Sequence, residues 1–188
     1  MNPFRYINAA WIVAGIVWVI GAATAKPTAR RESYRSRVLY TCILVAAFLL
    51  LFRKGLPFPV LEERFVPATP AAAWVGLALT ILGIVFAIWA RFYLGGNWSG
   101  MVTVKENHQL VRSGPYAIVR HPIYTGFSLA VLGTALAVGE IRGLIALALV
   151  ATGLRMKSRI EEAFMDEQFG SRYREYQREV KALIPFVW

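Results

Sequence analysis

A chain of 188 residues that is 57% apolar and only 17% charged, with a mean hydropathy of +0.49, is too oily for an ordinary soluble domain and reads as a membrane protein. Its formal charge of +10 does not argue for nucleic acid, because the cations stand between apolar segments and not along one polar face. Cys42 is the lone cysteine, which excludes an intrachain disulfide, and His108 and His121 have no acidic or cysteine cluster of ligand spacing around them, so no metal is expected.

In chain order, Ile7 to Ala25 is a 19-residue apolar stretch, long enough to cross a bilayer core of about 30 Å. It ends in Ala23-Thr24-Ala25, which resembles a signal-peptidase site. Cleavage there would export the cationic segment from Lys26 to Arg37 against the positive-inside rule, so the stretch reads as a retained helix. Val38 to Phe52 is a shorter span flanked by Arg37 and Arg53 as snorkelling anchors. A proline-punctuated polar loop follows from Arg53 to Pro70, and Ala71 to Ala90 is a third span. Within it Gly76 and Gly83 share one helical face, where small residues let a neighbouring helix approach closely. Arg91 to His121 is amphipathic and is expected at the membrane surface.

Ile123 to Leu154 holds 32 residues, about 48 Å as a single helix and too long for one crossing. Gly139-Glu140-Ile141-Arg142-Gly143 should fold it into a tight hairpin. The second arm continues past Arg155, Lys157, Arg159, Glu161 and Glu162 as a charged helix leaving the membrane. Gly170 stops it, and a short polar helix follows from Ser171 to Val180. The expected fold is an all-α integral membrane protein with about five transmembrane helices, the last two a tight hairpin, and a cytosolic C-terminal helix over the site. Residues 1–90 would supply three spans and residues 91–188 the functional core. With five spans, 16 of the 21 Lys and Arg fall on one side, which puts the N-terminus outside and the C-terminus in the cytoplasm of a cell (inner) membrane.

Chemistry concentrates in Gly114-Pro115-Tyr116-Ala117-Ile118-Val119-Arg120-His121-Pro122-Ile123-Tyr124-Thr125-Gly126. Pro122 keeps His121 extended and suits the first turn of a helix, whose start offers unpaired N–H groups to an anion. The hairpin returns Lys157, Glu161 and Glu162 to the same face. Lys157 and Glu161 are helical neighbours, while Glu162 points about 100° away, so one carboxylate can face the site and the other pair outside. Taken singly, these groups also read as interfacial anchors and a solvated helix face.

Leu94-Gly95-Gly96-Asn97-Trp98-Ser99, Gln109-Leu110-Val111-Arg112-Ser113-Gly114-Pro115-Tyr116, Arg120-His121-Pro122-Ile123-Tyr124-Thr125-Gly126, an apolar hairpin, Glu161-Glu162, Phe169-Gly170, and Tyr173 with Tyr176 together resemble the isoprenylcysteine carboxyl methyltransferase family and its phospholipid methyltransferase relatives. The resemblance covers about residues 91–185. It implies S-adenosylmethionine as cofactor, held by Gln109, the Tyr116, Ala117, Ile118 and Val119 backbone, His121, Tyr124, the turn from Leu129 to Leu132, Glu161 and Glu162. A sulfonium with an amino-acid tail suits a carboxylate and aromatic faces, and its own carboxylate suits the helix start and His121.

The transfer is an in-line displacement at methyl, favoured by positioning and exclusion of water. A carboxylate acceptor is already ionised and needs a cation to orient it, with Lys157, Arg159 and Arg120 the candidates. The family places Arg where this chain has Lys157. An amine acceptor would need His121 or a glutamate as base. The expected acceptor is a membrane-embedded lipid or prenylated molecule, with lateral entry from the bilayer between spans. An NADPH-dependent membrane lipid or sterol-type reductase shares an Arg-His-Pro-like segment, and a non-catalytic scaffold is the third class.

Overall fold

The computed structural model describes residues 2–22, 28–98, 103–105 and 110–184. Seven α-helices are present among them: α1 Pro3–Ala22, α2 Tyr34–Phe52, α3 Pro70–Leu94, α4 Pro115–Ile118, α5 Pro122–Val138, α6 Ile141–Phe169 and α7 Ser171–Glu179. The first three are long and apolar enough to cross a membrane. Helix α5 is apolar but 17 residues long, and the 29-residue α6 is apolar to Leu154 and charged beyond it. Ile12, Ile16 and Val19 of α1, Leu39, Val45 and Leu49 of α2, and Val75, Leu82 and Val85 of α3 all face outward. Such an outward apolar belt needs lipid as its solvent, and the protein is an all-α membrane protein.

The helices start earlier than the apolar runs. Ser33 caps α2 by accepting from the Ser36 amide at 3.2 Å, so the helix begins at Tyr34 and takes Arg35 and Arg37 into its first turns. Thr69 caps α3 in the same way, with Pro70 in the first turn. At its other end α3 runs on to Leu94, past Ala90. The buried Arg91 guanidinium donates to the Gly95 carbonyl at 3.1 Å and to the Gly21 carbonyl, and stacks over Trp98 at 4.1 Å. One side chain thereby covers the ends of both α1 and α3.

Antiparallel α3 and α5 form the tightest contact in the fold. A Cβ on Gly83 would stand 2.4 Å from the Ala130 nitrogen, and one on Gly76 would stand 2.5 Å from the Gly133 carbonyl. Gly126 and Gly133 answer from α5, so the close approach expected of the Gly76 and Gly83 face is made within the chain. Above this seam Trp11 donates to the Thr134 hydroxyl at 3.0 Å, which meets the Thr80 hydroxyl at 3.1 Å, leaving these intramembrane polar groups satisfied.

The hairpin turn is Gly139-Glu140, with Gly139 left-handed at φ 68°, and α6 begins directly after it. Arg142, 2% exposed, donates from Nη1 to the carbonyls of Leu50, Leu51 and Arg53 at 2.8–3.0 Å. Those are the orphan carbonyls at the C-terminus of α2, so Arg142 fastens that end of α2 to α6. Two short strands, β1 Thr28–Arg31 and β2 Thr103–Lys105, pair antiparallel. At four and three residues, neither segment is long enough to show an alternating pattern in the sequence.

Candidate active site

Arg120, His121, Tyr124, Lys157, Glu161 and Glu162 collect on one face, where α2 begins, α3 ends, α5 begins and α6 emerges. Pro122 permits the α5 helix but holds His121 outside the right-handed helical region, at φ −123° and ψ 62°. That kink aims the buried imidazole at α6. Its Nδ1 stands 3.4 Å from Glu161 Oε2 and its Nε2 stands 3.1 Å from Glu162 Oε1. Carboxylates accept only, so this placement of one at each ring nitrogen favours the imidazolium. Tyr124 stacks on the imidazole, with centroids 5.4 Å apart and planes within 5°, and donates its hydroxyl to Glu161 Oε1.

Both glutamates therefore face His121, whereas helical spacing suggested that one of the two would pair outside. The reason is Arg120, whose Nε and Nη2 donate to Glu162 Oε1 at 2.9 and 2.6 Å and draw that carboxylate inward. The Arg120 Nη1 also donates to the carbonyls of Gln177 and Val180. The guanidinium thus ties α7 and the tail to the loop as well as to Glu162. Arg159 is exposed and lies 200° around α6 from Lys157, away from the cluster. Of the three cations named from sequence, Arg120 bonds Glu162 within the cluster and Lys157 stands beside it, with Nζ 5.5 Å from the centroid of the Tyr124 ring.

The unpaired amides expected at the start of α5 are largely taken. Pro122 has none, and the Tyr124 and Thr125 amides both donate to the His121 carbonyl at 3.0 Å. The Arg120 and His121 amides donate to Lys181 and Ala182 at 2.8 and 3.0 Å, and Thr125 Oγ1 donates to Leu183 at 2.6 Å. Residues 181–183 thus lie along the loop like an added strand. Tyr116 is buried; its hydroxyl is 3.4 Å from the Ala90 carbonyl, and its own carbonyl accepts from Tyr176. Val119 is fully buried, whereas Ala117 and Ile118 are exposed. Leu129 and Leu132 are half-buried in α5, two to three turns beyond His121, and Gln109 lies outside the described residues. Tyr40 on α2 and Glu32 before it also reach this face, which no local pattern in the sequence announces.

Charge in the cluster is mutually reinforcing. Burial opposes the imidazolium, but hydrogen bonds and attraction from Glu161 and Glu162 outweigh it and raise the His121 pKa. Burial likewise opposes the Glu162 carboxylate, yet His121 and Arg120 bring its pKa down to about 2. Glu161 is also lowered, with His121, Lys157 and Tyr124 overcoming burial. The folded state therefore prefers charged His121. Its contribution to stability is complete below the unfolded value of about 6.5 and is lost as pH rises through the raised folded value. Thermal unfolding in detergent should show the midpoint falling above neutral pH, and His121→Gln should flatten that dependence. The Glu162 contribution has the opposite sign, being present above about 4.5 and lost as pH falls toward about 2.

Residues 71–172 match the phospholipid methyltransferase family. A probable protein-S-isoprenylcysteine O-methyltransferase of Oryza sativa subsp. indica is 30% identical over 77% of this chain and 76% of its own length. Protein-S-isoprenylcysteine O-methyltransferase B of Arabidopsis thaliana is 32% identical, over 68% of each chain. Among solved structures, that of a eukaryotic intramembrane Ras methyltransferase, isoprenylcysteine carboxyl methyltransferase, aligns with a TM-score of 0.55 and 28% identity. The alignment covers 80% of this chain and 53% of that one, so the chain spans about half the length of that structure. Matched along most of its length, and carrying the paired glutamates against the Arg-His-Pro loop, the chain is a membrane methyltransferase that belongs to the isoprenylcysteine carboxyl methyltransferase family.

Proposed function

We propose that the protein transfers a methyl group from S-adenosylmethionine to the carboxylate of a prenylated cysteine or similar lipidic acid held in the bilayer. The observation that carries this reading is half-buried Glu161, fixed by Tyr124 and His121 with the Lys157 ammonium beside the Tyr124 ring. The residues fit such a donor: a carboxylate and phenol faces suit its cationic groups, and Tyr116 to Val119, His121, Glu162, Gln109 and the Leu129 to Leu132 turn are the remaining proposed contacts. When bound, S-adenosylmethionine supplies an electrophilic methyl on a sulfonium. Lys157 orients the acceptor, Tyr124 and His121 hold Glu161 in place, and Arg120 with α7 closes the site against water.

A carboxylate acceptor is also favoured over an amine by the state of His121. With a carboxylate at each ring nitrogen the protonated imidazole is favoured, which suits it poorly to take a proton from an ammonium. We place the site face in the cytoplasm on the strength of the cation asymmetry, with α5 and the apolar part of α6 as the fourth and fifth spans of a cell membrane protein. In this reading residues 91–188 form the methyltransferase core and residues 1–90 the spans between which the acceptor enters. Titration of detergent-purified protein with S-adenosylmethionine, and in parallel with NADPH, tests the donor. Methyl transfer to a prenylcysteine but not to phosphatidylethanolamine tests the acceptor. Binding of NADPH alone, or methylation of the amine alone, would sink the proposal.

A further inference from the structure

Lysine is a poorer holder of carboxylates than arginine, because its ammonium is a single point charge on a flexible four-carbon stem with no fork to preset direction. A site that depends on Lys157 has to fix that ammonium from outside. In the structure Lys157 Nζ stands 5.5 Å from the centroid of the Tyr124 ring and 5.5 Å from the centroid of the Tyr40 ring. Both distances fall within the range of about 6 Å over which a ring face attracts a cation. The two phenols are alike in a second respect. Tyr124 donates its proton to Glu161 and Tyr40 donates its proton to Glu32, so each ring is enriched in electrons by a carboxylate at its far end.

Tyr40 is held at that spot by the packing of α2 on α6. A Cβ on Gly153 would meet the Leu44 side chain at 3.1 Å, so α2 comes close to α6 one turn from both Tyr40 and Lys157. Arg142 pins the other end of α2 through three carbonyls. Tyr40 itself is 3% exposed, within the helix expected from sequence to be a plain span. It also lies outside residues 71–172, the part that matches the phospholipid methyltransferase family.

We infer that Tyr40, anchored by Glu32, is a positioning residue for acceptor recognition: with Tyr124 it boxes the Lys157 ammonium so that this lysine does the work of an arginine fork on the acceptor carboxylate. The inference rests on the proposed carboxylate acceptor. It assigns the N-terminal half of the chain a share in specificity, beyond forming spans.

The test compares binding of N-acetyl-S-farnesylcysteine with binding of its carboxamide, measured without methyl donor, in native protein, Lys157→Met, Tyr40→Phe, Tyr40→Leu and the Tyr40→Leu/Lys157→Met pair. Native protein should prefer the acid at least tenfold, and Lys157→Met should erase the preference. Tyr40→Leu should cut it at least fivefold, and Tyr40→Phe, which keeps the ring and loses only the Glu32 bond, should fall between. The double variant should lose no more than Lys157→Met alone, and S-adenosylmethionine affinity should stay within twofold in Tyr40→Leu. An unchanged acid preference in Tyr40→Leu would show the ring to be packing only. A parallel drop in S-adenosylmethionine affinity would assign it to the donor site, and absence of any acid preference in the native protein would overturn the inference together with the carboxylate reading. Failure of the native chain to bind S-adenosylmethionine is a separate result, and it would count against the methyl donor instead.

Discussion

Glu161→Gln is expected to lower S-adenosylmethionine affinity about 100-fold, or about 2.7 kcal/mol. The substitution is isosteric and the amide oxygen still accepts from the Tyr124 hydroxyl, but the amide NH2 then faces His121 Nδ1 and that contact is lost. What disappears is the negative charge that the proposed site offers a cationic donor. Hydrogen bonds to charged groups are worth about 1.5–3 kcal/mol, which sets the scale of the loss. Titration calorimetry in detergent checks it, and an affinity within threefold of native would place the donor elsewhere. Glu162→Gln should behave differently, because that carboxylate answers chiefly to Arg120 and His121, and its loss should appear in stability before it appears in donor affinity.

Arg120→Met is the most damaging change expected to fold stability. Arg120 and Glu162 side chains are 10% and 19% exposed, and breaking a pair of that kind from one side costs about 3 kcal/mol, because the remaining charge stays in a poorly solvated place. The same substitution removes the donors to Gln177 and Val180 and so loosens α7 from the Arg-His-Pro loop. Equilibrium unfolding in mixed micelles should register the loss, and adding Glu162→Gln should restore part of it by removing the stranded carboxylate. Recovery of stability without recovery of methyl transfer would support Arg120 as a positioning residue. A variant as stable as native would contradict the geometry.

The spans were legible because bilayer crossing leaves a one-dimensional mark: a long run with few charges. Their ends were less so. Arg35 and Arg37 look like flanking residues until the Ser33 cap is seen, and Arg91 looks like the first residue of a surface loop until its guanidinium is found covering the carbonyls of Gly21 and Gly95. His121, Tyr124 and Glu161 were legible because the hairpin fixes which helix ends share a face. The inward turn of Glu162 was not, since helical periodicity alone separates it from Glu161 and only the position of Arg120 reverses that. Tyr40 had no local signature at all. Its role depends on how α2 settles against α6, a tertiary fact that leaves no pattern within either helix.

The glycine seam between α3 and α5 has a consequence for descent. Every amino-acid change reachable by one base from a glycine codon adds at least a Cβ, and at Gly83 or Gly126 that atom would stand within 2.4–2.6 Å of the backbone opposite. Neither helix can therefore drift by itself at these positions. Lineages that diverge elsewhere in the membrane should retain both glycines, so these two sites offer a fixed register for aligning distant members whose lipid-facing residues have changed.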